Sequence, residues 1–459
     1  MPLIQGSEQR TSRESFTVVV VAPHPPSAAR LAATYQERVL WQTQADPPPI
    51  LPHALPASVD VAIVGAGYCG LSAARELARA GRSVVVVERD PLGFGASTRN
   101  GGMVIPELKS GPAALEKKYG ATGPRLYDEV NQAFDHVEAL IDTEHLDCDY
   151  VRSGQLYLAH NRAHVGGLQA MAVEHGDQRG EAVHWVDRDG LRDEIGSDAF
   201  YGGVVLERTG GLQPAKYHAG LARLALAAGA DLHDRTTATE LRARDGGAGF
   251  RLTTSRGAIT AHEVVVATNA YADGLVPWLR RRVVPVGSYI IATEVLDPDV
   301  ASSISPRNRM LVDTKNFLFY WRLSPDGRLV FGGRRSLAAA TIPQARDFLY
   351  QAMVGLHPQL RDTALEFAWG GNVAITLDRM PHFGRVPRGP AQGAVFATGC
   401  NGSGVALNSW LGLRAAEVLD GGDPPAFAEI SFPAVPVHAL RRAYLPVVGQ
   451  WFAYQDRRP

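Results

Sequence analysis

The fold is decided by the stretch Asp60-Val-Ala-Ile-Val-Gly65-Ala-Gly67-Tyr-Cys-Gly70-Leu-Ser-Ala-Ala-Arg-Glu-Leu-Ala-Arg-Ala-Gly81, which Ser83-Val-Val-Val-Val-Glu88 follows. It has the pattern of a strand, a glycine-rich turn, an amphipathic helix and a second strand. Gly65 permits the tight turn, Gly67 lets the backbone approach a pyrophosphate, and Gly70 lets helix and strand pack closely. The phosphates would then meet the positive end of the helix. This order of elements predicts a dinucleotide-binding turn.

The second strand of this unit ends in an acid, Glu88, and Arg89 follows it. A carboxylate at this position can accept hydrogen bonds from the hydroxyls of an adenosine ribose. The same carboxylate disfavours a 2′-phosphate, so NADP is excluded more firmly than NAD.

Two further glycine-rich stretches favour FAD over NAD. The second glycine-rich stretch of the chain, after the turn at Gly65, is Gly93-Phe-Gly-Ala-Ser97-Thr-Arg99-Asn100-Gly101-Gly102-Met103. Its hydroxyl, guanidinium and amide groups suit a dinucleotide that is held again further along. The third glycine-rich stretch is Gly399-Cys-Asn-Gly-Ser-Gly404-Val405, which opens the last long helix. The N-terminus of that helix offers N–H donors and partial positive charge to the pyrimidine end of a flavin.

These motifs resemble those of the D-amino-acid-oxidase-like FAD-dependent oxidoreductases. The stretch Gly95-Ala-Ser-Thr-Arg-Asn-Gly-Gly102 is most similar to the γ-glutamylputrescine oxidoreductase branch. Matching stretches follow in order at 264–271, 285–293, 320–333, 369–371 and 397–404, so the resemblance runs from about Asp60 to the C-terminal helix. The chain departs from the family where the last stretch reads close to G-x-S-G-H-G, because Asn401 and Ser403 stand in place of Ser and His.

The resemblance implies an α/β fold, in which a Rossmann-like FAD-binding domain of the glutathione-reductase type is interleaved with a mixed β-sheet substrate domain. We expect the FAD-binding domain at 58–110, 200–275 and 375–425, and the substrate-binding domain at 111–199 and 276–374. An N-terminal extension, 1–57, with a helical pattern around 28–41, and a C-terminal tail, 426–459, complete the chain. The residues implied for FAD are Gly65, Ala66, Gly67, Gly70, Glu88, Arg89, Ala96, Ser97, Arg99, Asn100, Gly101, Gly102, Met103, Ala238, Ala267, Thr268, Gly399, Gly402, Ser403, Gly404 and Val405.

The FAD is expected to be bound non-covalently. Related sarcosine oxidases tether their flavin to a mid-chain cysteine, but the corresponding region, 313–322, contains none. Cys400 is interpreted as a small packed side chain rather than a tether. The three cysteines, Cys69, Cys148 and Cys400, lack the close spacings of metal sites, so no metal is expected.

The substrate side is marked by Asn372, which stands where amino-acid-oxidising relatives often place an arginine that pairs with a carboxylate. This favours an amine whose reacting end is not an α-amino acid. Arg322 and Arg334 remain candidates for a distant carboxylate, although each also fits a structural charge. His382 is a candidate base, and the alternative is a packed histidine. An aromatic cage for a cationic amine is a further hypothesis, and most of its members also fit core positions: Tyr289, Phe317, Phe319, Tyr320, Trp321 and Trp369.

The expected reaction is FAD-dependent oxidation of an amine. Hydride passes from the carbon next to nitrogen to flavin N5, and water hydrolyses the imine to a carbonyl compound. The alternatives are an amino-acid oxidase of the glycine, sarcosine or D-amino-acid type, a quinone-linked amine dehydrogenase, and a flavin scaffold without turnover. The electron acceptor stays open between O₂ and a quinone or carrier, because the sequence does not place Lys109, Lys216 or Lys315 over the flavin.

Composition narrows the class of partner. With 459 residues, 45% hydrophobic and 20% charged, and a net charge of -1, the chain has the composition of a globular protein without an electrostatic footprint for nucleic acid. Its N-terminal apolar run, 16–22, is too short to span a bilayer and short for a signal peptide. We therefore expect a cytoplasmic enzyme with a small-molecule amine as substrate, no nucleic acid and no membrane span.

Overall fold

The structure, a computed structural model, describes residues 29–244, 249–334 and 336–456. Its strands are β1 (Leu31–Gln36), β2 (Ser58–Val64), β3 (Val84–Val87), β4 (Met103–Val104), β5 (Gln155–Leu158), β6 (Val183–Val186), β7 (Gly203–Leu206), β8 (Gly210–Gly211), β9 (Asp231–His233), β10 (Ala238–Ala243), β11 (Phe250–Thr254), β12 (Gly257–Val266), β13 (Val283–Thr293), β14 (Met310–Asp313), β15 (Tyr320–Leu323), β16 (Leu329–Gly333), β17 (Leu365–Thr376), β18 (His382–Arg385) and β19 (Val395–Thr398). Its α-helices are α1 (Leu40–Thr43), α2 (Tyr68–Arg79), α3 (Pro112–Tyr119), α4 (Thr122–Thr143), α5 (Val165–Ala172), α6 (Pro214–Ala227), α7 (Pro277–Arg280), α8 (Pro298–Ile304), α9 (Ile342–Leu356), α10 (Gly404–Leu419) and α11 (Arg441–Gln455).

The first large sheet carries the predicted dinucleotide-binding unit. Its strands lie in the order β10-β11-β12-β2-β3-β9, and β19 pairs with both β12 and β18. The pairs of β2 with β3, of β3 with β9 and of β12 with β2 and β19 are parallel. Every residue of Val84–Val87 is buried, as expected for a parallel strand that is covered on both faces. Helices α2 and α10 pack against each other beside this sheet.

The second large sheet is mixed and lies in the order β1-β17-β13-β16-β15-β14-β5-β7-β6. Its longest pairing joins β13 and β17 in antiparallel register from Val283 opposite Thr376 to Thr293 opposite Leu365. Together the two sheets confirm the predicted α/β class. Strand β7 pairs into the second sheet although its residues lie in the segment 200–275, which we expected in the FAD-binding domain. The domain bounds stay predictions.

The helix predicted around 28–41 is wrong over most of the part that the structure describes. Residues Leu31–Gln36 form the edge strand β1, which pairs in parallel with β17, and only Leu40–Thr43 are helical. Hydrogen bonds to the open edge of β17 outweigh the weak helical periodicity, because tertiary pairing commonly overrides local propensity. Residues Leu31–Gln36 of the extension are thus part of the second sheet.

None of the helices in the described ranges is long and apolar enough to cross a membrane. The apolar run at 16–22 lies outside those ranges.

Candidate FAD and substrate site

A cavity of about 350 Å³ lies where the two large sheets meet. Its first wall comes from the turn after β2, the end of β3, the second glycine-rich stretch and the start of α10. Its second wall comes from β13, β15, β17 and the residue after β16. All but three of the residues implied for FAD line it: Gly65, Ala66, Gly67, Glu88, Arg89, Ala96, Ser97, Arg99, Asn100, Gly101, Met103, Ala238, Ala267, Thr268, Gly402, Ser403, Gly404 and Val405.

The first glycine turn has the close approaches that its sequence predicts. Gly65 has a φ of +104°, a left-handed conformation that favours glycine. A Cβ on Gly70 would lie 1.9 Å from the Gly65 carbonyl oxygen, so this position holds helix α2 against the turn. A Cβ on Gly67 would meet Ser97 Oγ at 3.0 Å inside the cavity wall. Gly67 therefore keeps space open, whereas Gly70 serves packing and does not line the cavity.

The carboxylate of Glu88 orders the loop around the cavity. Glu88 Oε2 accepts a hydrogen bond from the Ala66 N–H at 2.9 Å, and Oε1 accepts one from the Asp90 N–H at 3.1 Å. Each carboxylate oxygen has a second lone pair. These lone pairs and the position of Glu88 on the wall fit the predicted contact with a ribose hydroxyl.

The second glycine-rich stretch is held by its own polar side chains. Asn100 Nδ2 donates to the carbonyl oxygens of Ala96 and Ser97, and its Oδ1 accepts from the Gly102 N–H at 2.8 Å. Ser97 Oγ accepts from the Tyr68 N–H at 3.1 Å at the start of α2. The two glycine-rich stretches are thus fixed to one another, which is the arrangement that a shared ligand requires.

Gly102 and Gly399 are the other two implied positions that lie off the cavity wall. Gly102 has a φ of +72°, and a Cβ there would lie 2.1 Å from the Leu212 carbonyl oxygen. Gly399 has a φ of +80°, and a Cβ would lie 2.4 Å from Thr376 Cγ2. Both glycines permit close packing behind the wall rather than contact with a ligand.

The start of α10 faces the cavity through Gly402, Ser403 and Gly404. Ser403 is the N-cap, yet its side chain caps no backbone N–H, so the first N–H groups of the helix are free to bind a ligand. Lys109 Nζ lies 3.3 Å from Ser403 Oγ and 3.0 Å from Glu107 Oε1. The donors, the space at Gly67 and the Glu88 carboxylate together fit FAD.

The second wall follows the alternation of strand residues. Ser288 of β13 lines the cavity, while its neighbour Tyr289 points to the opposite face of the sheet, where its hydroxyl donates to the Ala340 carbonyl oxygen at 2.8 Å. Asn372 of β17, opposite Gly287, also lines the cavity. The structure therefore brings Asn372 to the candidate site and leaves Tyr289 outside it.

Two other predicted substrate residues lie behind the wall. Trp369 is 2% exposed, and its Nε1 donates to the Arg99 carbonyl oxygen at 2.9 Å. The ring of His382 is buried, stacks on Phe432 with centroids 3.8 Å apart, and lies 3.1 Å from Asp378 Oδ1. Neither side chain lines the cavity, so His382 fits the packed histidine that was its alternative.

Comparison with known proteins agrees with this geometry. The model of the family described as DAO, FAD dependent oxidoreductase, matches residues 60–418. The chain is 31% identical over 402 residues to gamma-glutamylputrescine oxidoreductase of Escherichia coli K12, covering 87% of this chain and 92% of that protein. It is 32% identical over 407 residues to the probable oxidoreductase OrdL of Haemophilus influenzae, covering 87% and 92%. The chain belongs to the DAO family of FAD-dependent oxidoreductases.

The fold of this DAO-family enzyme is shared with solved structures. Glycine oxidase from Geobacillus kaustophilus superposes with a TM-score of 0.72 at 22% identity, covering 83% of this chain and 99% of that one. The predicted fold class, the enzyme class of FAD-dependent oxidoreductase and the family resemblance are confirmed.

The aromatic cage does not form. Of its six proposed members, Tyr320 alone lines the cavity. Phe319 and Trp321 belong to the core on the other face of the second sheet, and Phe317 packs edge-on against Phe452 of α11. Strand alternation explains the result, because every second residue of β15 points away from the FAD-binding side.

Arg322 and Arg334 have different surroundings. The Arg322 side chain is fully buried and donates to the carbonyl oxygens of Gly101 and Leu212, at 2.8 and 2.6 Å. It fits a structural charge behind the second glycine-rich stretch. Arg334, by contrast, lines the cavity.

The sequence reasoning missed Glu107 and left the position of Lys109 open; both residues lie on the cavity wall beside the start of α10. No motif marks them, because only the fold brings the segment after β4 to that position. The two other lysines considered for the flavin lie elsewhere: Lys216 pairs with Asp149 at 3.0 Å, and Lys315 with Asp313 at 3.6 Å.

A second cluster missed in the sequence lies at the edge of the first sheet. His53 Nε2 is 2.5 Å and His233 Nε2 is 3.0 Å from the carboxylate of Asp231. Arg256 lies 3.5 Å from His233 Nδ1, and its positive charge opposes a metal cation at the same place. The cluster has the arrangement of a hydrogen-bond network.

Proposed function

We propose that this enzyme oxidises an amine whose reacting carbon bears no carboxylate. The observation that carries the proposal is the neutral side chain of Asn372 on the cavity wall, at the position where amino-acid-oxidising relatives often have an arginine. A carboxylate next to the reacting carbon would meet an amide there and would lose a charge-assisted hydrogen bond. Amines without that carboxylate bear no such penalty.

Bound FAD would supply the acceptor for the hydride that leaves the carbon next to nitrogen. The turn at Gly65 and Gly67 and the Glu88 carboxylate would hold its adenosine half. The free N–H groups at the start of α10 would favour negative charge at the pyrimidine end. The second wall would orient the amine and shield it from bulk water, and water would hydrolyse the released imine to a carbonyl compound.

The similarity to gamma-glutamylputrescine oxidoreductase supports the same class, and we include N-acylated diamines of that kind among the expected substrates. The fold shared with glycine oxidase keeps an amino-acid substrate as the second candidate. The acceptor of electrons from the reduced enzyme, O₂ or a quinone or carrier, and a cytoplasmic location stay predictions.

The test is product analysis with the holoenzyme. We would supply putrescine and γ-glutamylputrescine, and separately glycine, sarcosine and D- and L-alanine, with either air or an artificial quinone. A carbonyl product from at least one of the two amines, with only traces from the four amino acids, is the expected result. Product from amino acids alone would return the enzyme to the amino-acid-oxidase branch, and no product from any compound would favour a scaffold. Turnover in air identifies an oxidase, and turnover with quinone alone a dehydrogenase.

The FAD is proposed to be held without a covalent bond. Cys69 and Cys400 are the cysteines among the described residues that line the cavity, and burial raises the pKa of the Cys69 thiol to about 12. A thiol that stays protonated is a poor nucleophile. We therefore expect acid precipitation to release all flavin into the supernatant. Flavin retained on the wild-type polypeptide, and released from Cys400→Ser, would identify Cys400 as a tether.

A further inference from the structure

Arg334 is a cavity cation without a counter-ion. It follows the last residue of β16, lines the cavity and is only partly exposed. Within the described ranges, no side chain or carbonyl group accepts a hydrogen bond from its guanidinium, and no carboxylate pairs with it. A guanidinium has five N–H donors, so an unpaired one on a ligand cavity calls for an anionic partner from outside the chain.

The other cations on the wall are already satisfied or exposed. Arg89 and Lys109 each have an acidic partner at 3.0 Å, and Arg99 donates to two backbone carbonyl oxygens. Arg379 is exposed to solvent. Arg334 is therefore the cavity cation whose partial burial is not compensated by the described part of the chain.

The pKa of Arg334 agrees with the lack of a counter-ion in the described part of the chain. Burial lowers the pKa of its guanidinium, and the smaller electrostatic effect of Tyr320 opposes that shift. A buried cation that lacks a partner destabilises the protein, and an incoming anion removes that cost. The arrangement favours binding of a negatively charged group over a neutral one.

The hydroxyl groups of Ser288 and Tyr320 provide a further hydrogen-bond donor beside Arg334. Ser288 Oγ and Tyr320 OH lie 3.2 Å apart, and either can donate to the other. One hydrogen is used between them, so the second hydroxyl hydrogen stays available for a ligand. Both residues line the cavity. A guanidinium and one free hydroxyl match the two oxygens of a carboxylate.

The backbones of Arg334 and Asn372 lie on opposite sides of strand β13. Asn372 lies on β17 opposite Gly287 of β13, while Gly333, the residue before Arg334, pairs with Tyr289 on the other side of β13. Two strand spacings thus separate the two backbones, or roughly 10 Å. Arg334 and Asn372 therefore approach the cavity from opposite sides of β13.

We propose that Arg334, with the hydroxyl pair of Ser288 and Tyr320, binds a carboxylate at the end of the amine substrate remote from the reacting carbon. This inference rests on the proposed amine oxidation. It narrows the substrate class to amines that carry a distant carboxylate, such as ω-amino carboxylates or amines acylated by a carboxylate-bearing group.

A binding measurement tests Arg334 without turnover. We would titrate the holoenzyme with pentanoate and with pentanamide, follow the perturbation of the flavin spectrum, and compare wild type with Arg334→Met and Arg334→Lys. The expected result is that Arg334→Met weakens pentanoate binding by about 10- to 100-fold and leaves pentanamide unchanged. Arg334→Lys should recover part of the loss, because lysine keeps the charge but not the planar fork. Arg388→Met, at an exposed arginine, removes the same charge and serves as the control.

A kinetic comparison places the carboxylate on the substrate. Reduction of the flavin by 5-aminopentanoate should fall in Arg334→Met by the same factor, mainly through KM, while reduction by pentylamine should change little. Equal effects on both amines, loss of FAD from Arg334→Met and Arg334→Lys, or a larger effect of Arg379→Met would each overturn the assignment. Should Arg334→Met fail to fold, Arg334→Lys and Tyr320→Phe decide by the same ratio. If neither amine reduces the flavin, the proposed function fails, and the pentanoate titration still decides the carboxylate site.

Discussion

At the scale of single residues, Gly67 and Gly70 show that glycines of one motif serve different purposes. Gly67 has a φ of -83°, which any residue can adopt, so a side chain there is limited by space in the cavity and not by the backbone. Gly70 is limited by the Gly65 carbonyl oxygen behind it. The motif alone assigns both glycines to ligand binding, whereas the packing shows that only Gly67 of the two lines the cavity.

We expect Gly67→Val to abolish FAD binding while the chain still folds. The branched side chain would collide with Ser97 Oγ and occupy the space that the pyrophosphate needs. The measurement is the ratio of flavin to polypeptide after purification, together with the far-ultraviolet circular dichroism of the protein. Gly355→Val, at an exposed helix position with open space around it, is the control. A full complement of FAD in Gly67→Val would mean that the dinucleotide lies elsewhere.

The buried carboxyl group of Asp313 should make the free energy of unfolding depend on pH. Burial raises the pKa of this carboxyl from 3.8 to about 6, although the Lys315 ammonium and two backbone N–H groups oppose the shift. Since its folded-state pKa lies above its unfolded value, the ionised group destabilises the fold once the pH rises through about 4 to 6.

Asp313→Asn should therefore raise the free energy of unfolding by about 1–3 kcal/mol at pH 8, with the gain vanishing near pH 4. Chemical denaturation at both pH values measures the difference. Asp362→Asn, at a side chain that is 93% exposed, should show no such pattern. A gain that is equal at both pH values would contradict the buried charge as its cause.

At the scale of elements, the sequence predicts the strand, turn and helix of the dinucleotide unit because each has its own local signal. The face of a strand is harder to predict. Both Ser288 and Tyr289 lie on β13, and a shift of one residue decides which of them meets the cavity. An aromatic residue suggested a substrate contact, yet the serine beside it occupies the wall.

Strand β1 shows a second limit of local patterns. Its pairing partner, β17, lies more than three hundred residues away in the chain, so no local sequence pattern predicts the pairing. Trp41, just after β1, is fully buried and donates from Nε1 to the Asn100 carbonyl oxygen at 2.9 Å. The N-terminal extension therefore supports the second glycine-rich stretch.

Trp41→Ala should lower the free energy of unfolding by about 3–5 kcal/mol and weaken FAD binding. The cavity left by the ring removes contacts with Trp369, and the hydrogen bond to the Asn100 loop is lost. Denaturation of the holoenzyme and of the protein stripped of flavin measures both effects. Trp451→Ala, at a side chain that is 56% exposed, is the matched control. Equal losses of unfolding free energy and of FAD affinity in the two variants would contradict the structural role assigned to Trp41.

At the scale of the whole molecule, the cavity lies between two sheets whose residues come from distant parts of the chain. Sequence motifs predicted the glycine-rich parts of the wall on the first sheet, because glycine-rich turns carry their own signature. They predicted little of the wall on the second sheet, where Ser288, Tyr320 and Arg334 meet only through strand pairing. Family resemblance therefore indicates the chemistry better than it indicates the substrate.

The proposed reaction transfers electrons to FAD in this cavity from an amine that lacks a carboxylate at its reacting carbon. Anaerobic mixing of the holoenzyme with each candidate, followed by the loss of flavin absorbance in a stopped-flow instrument, tests it most directly. We predict faster bleaching by putrescine or γ-glutamylputrescine than by glycine, sarcosine, D-alanine or L-alanine. Bleaching by any of the four amino acids that is faster than by both amines would show that the enzyme oxidises amino acids instead.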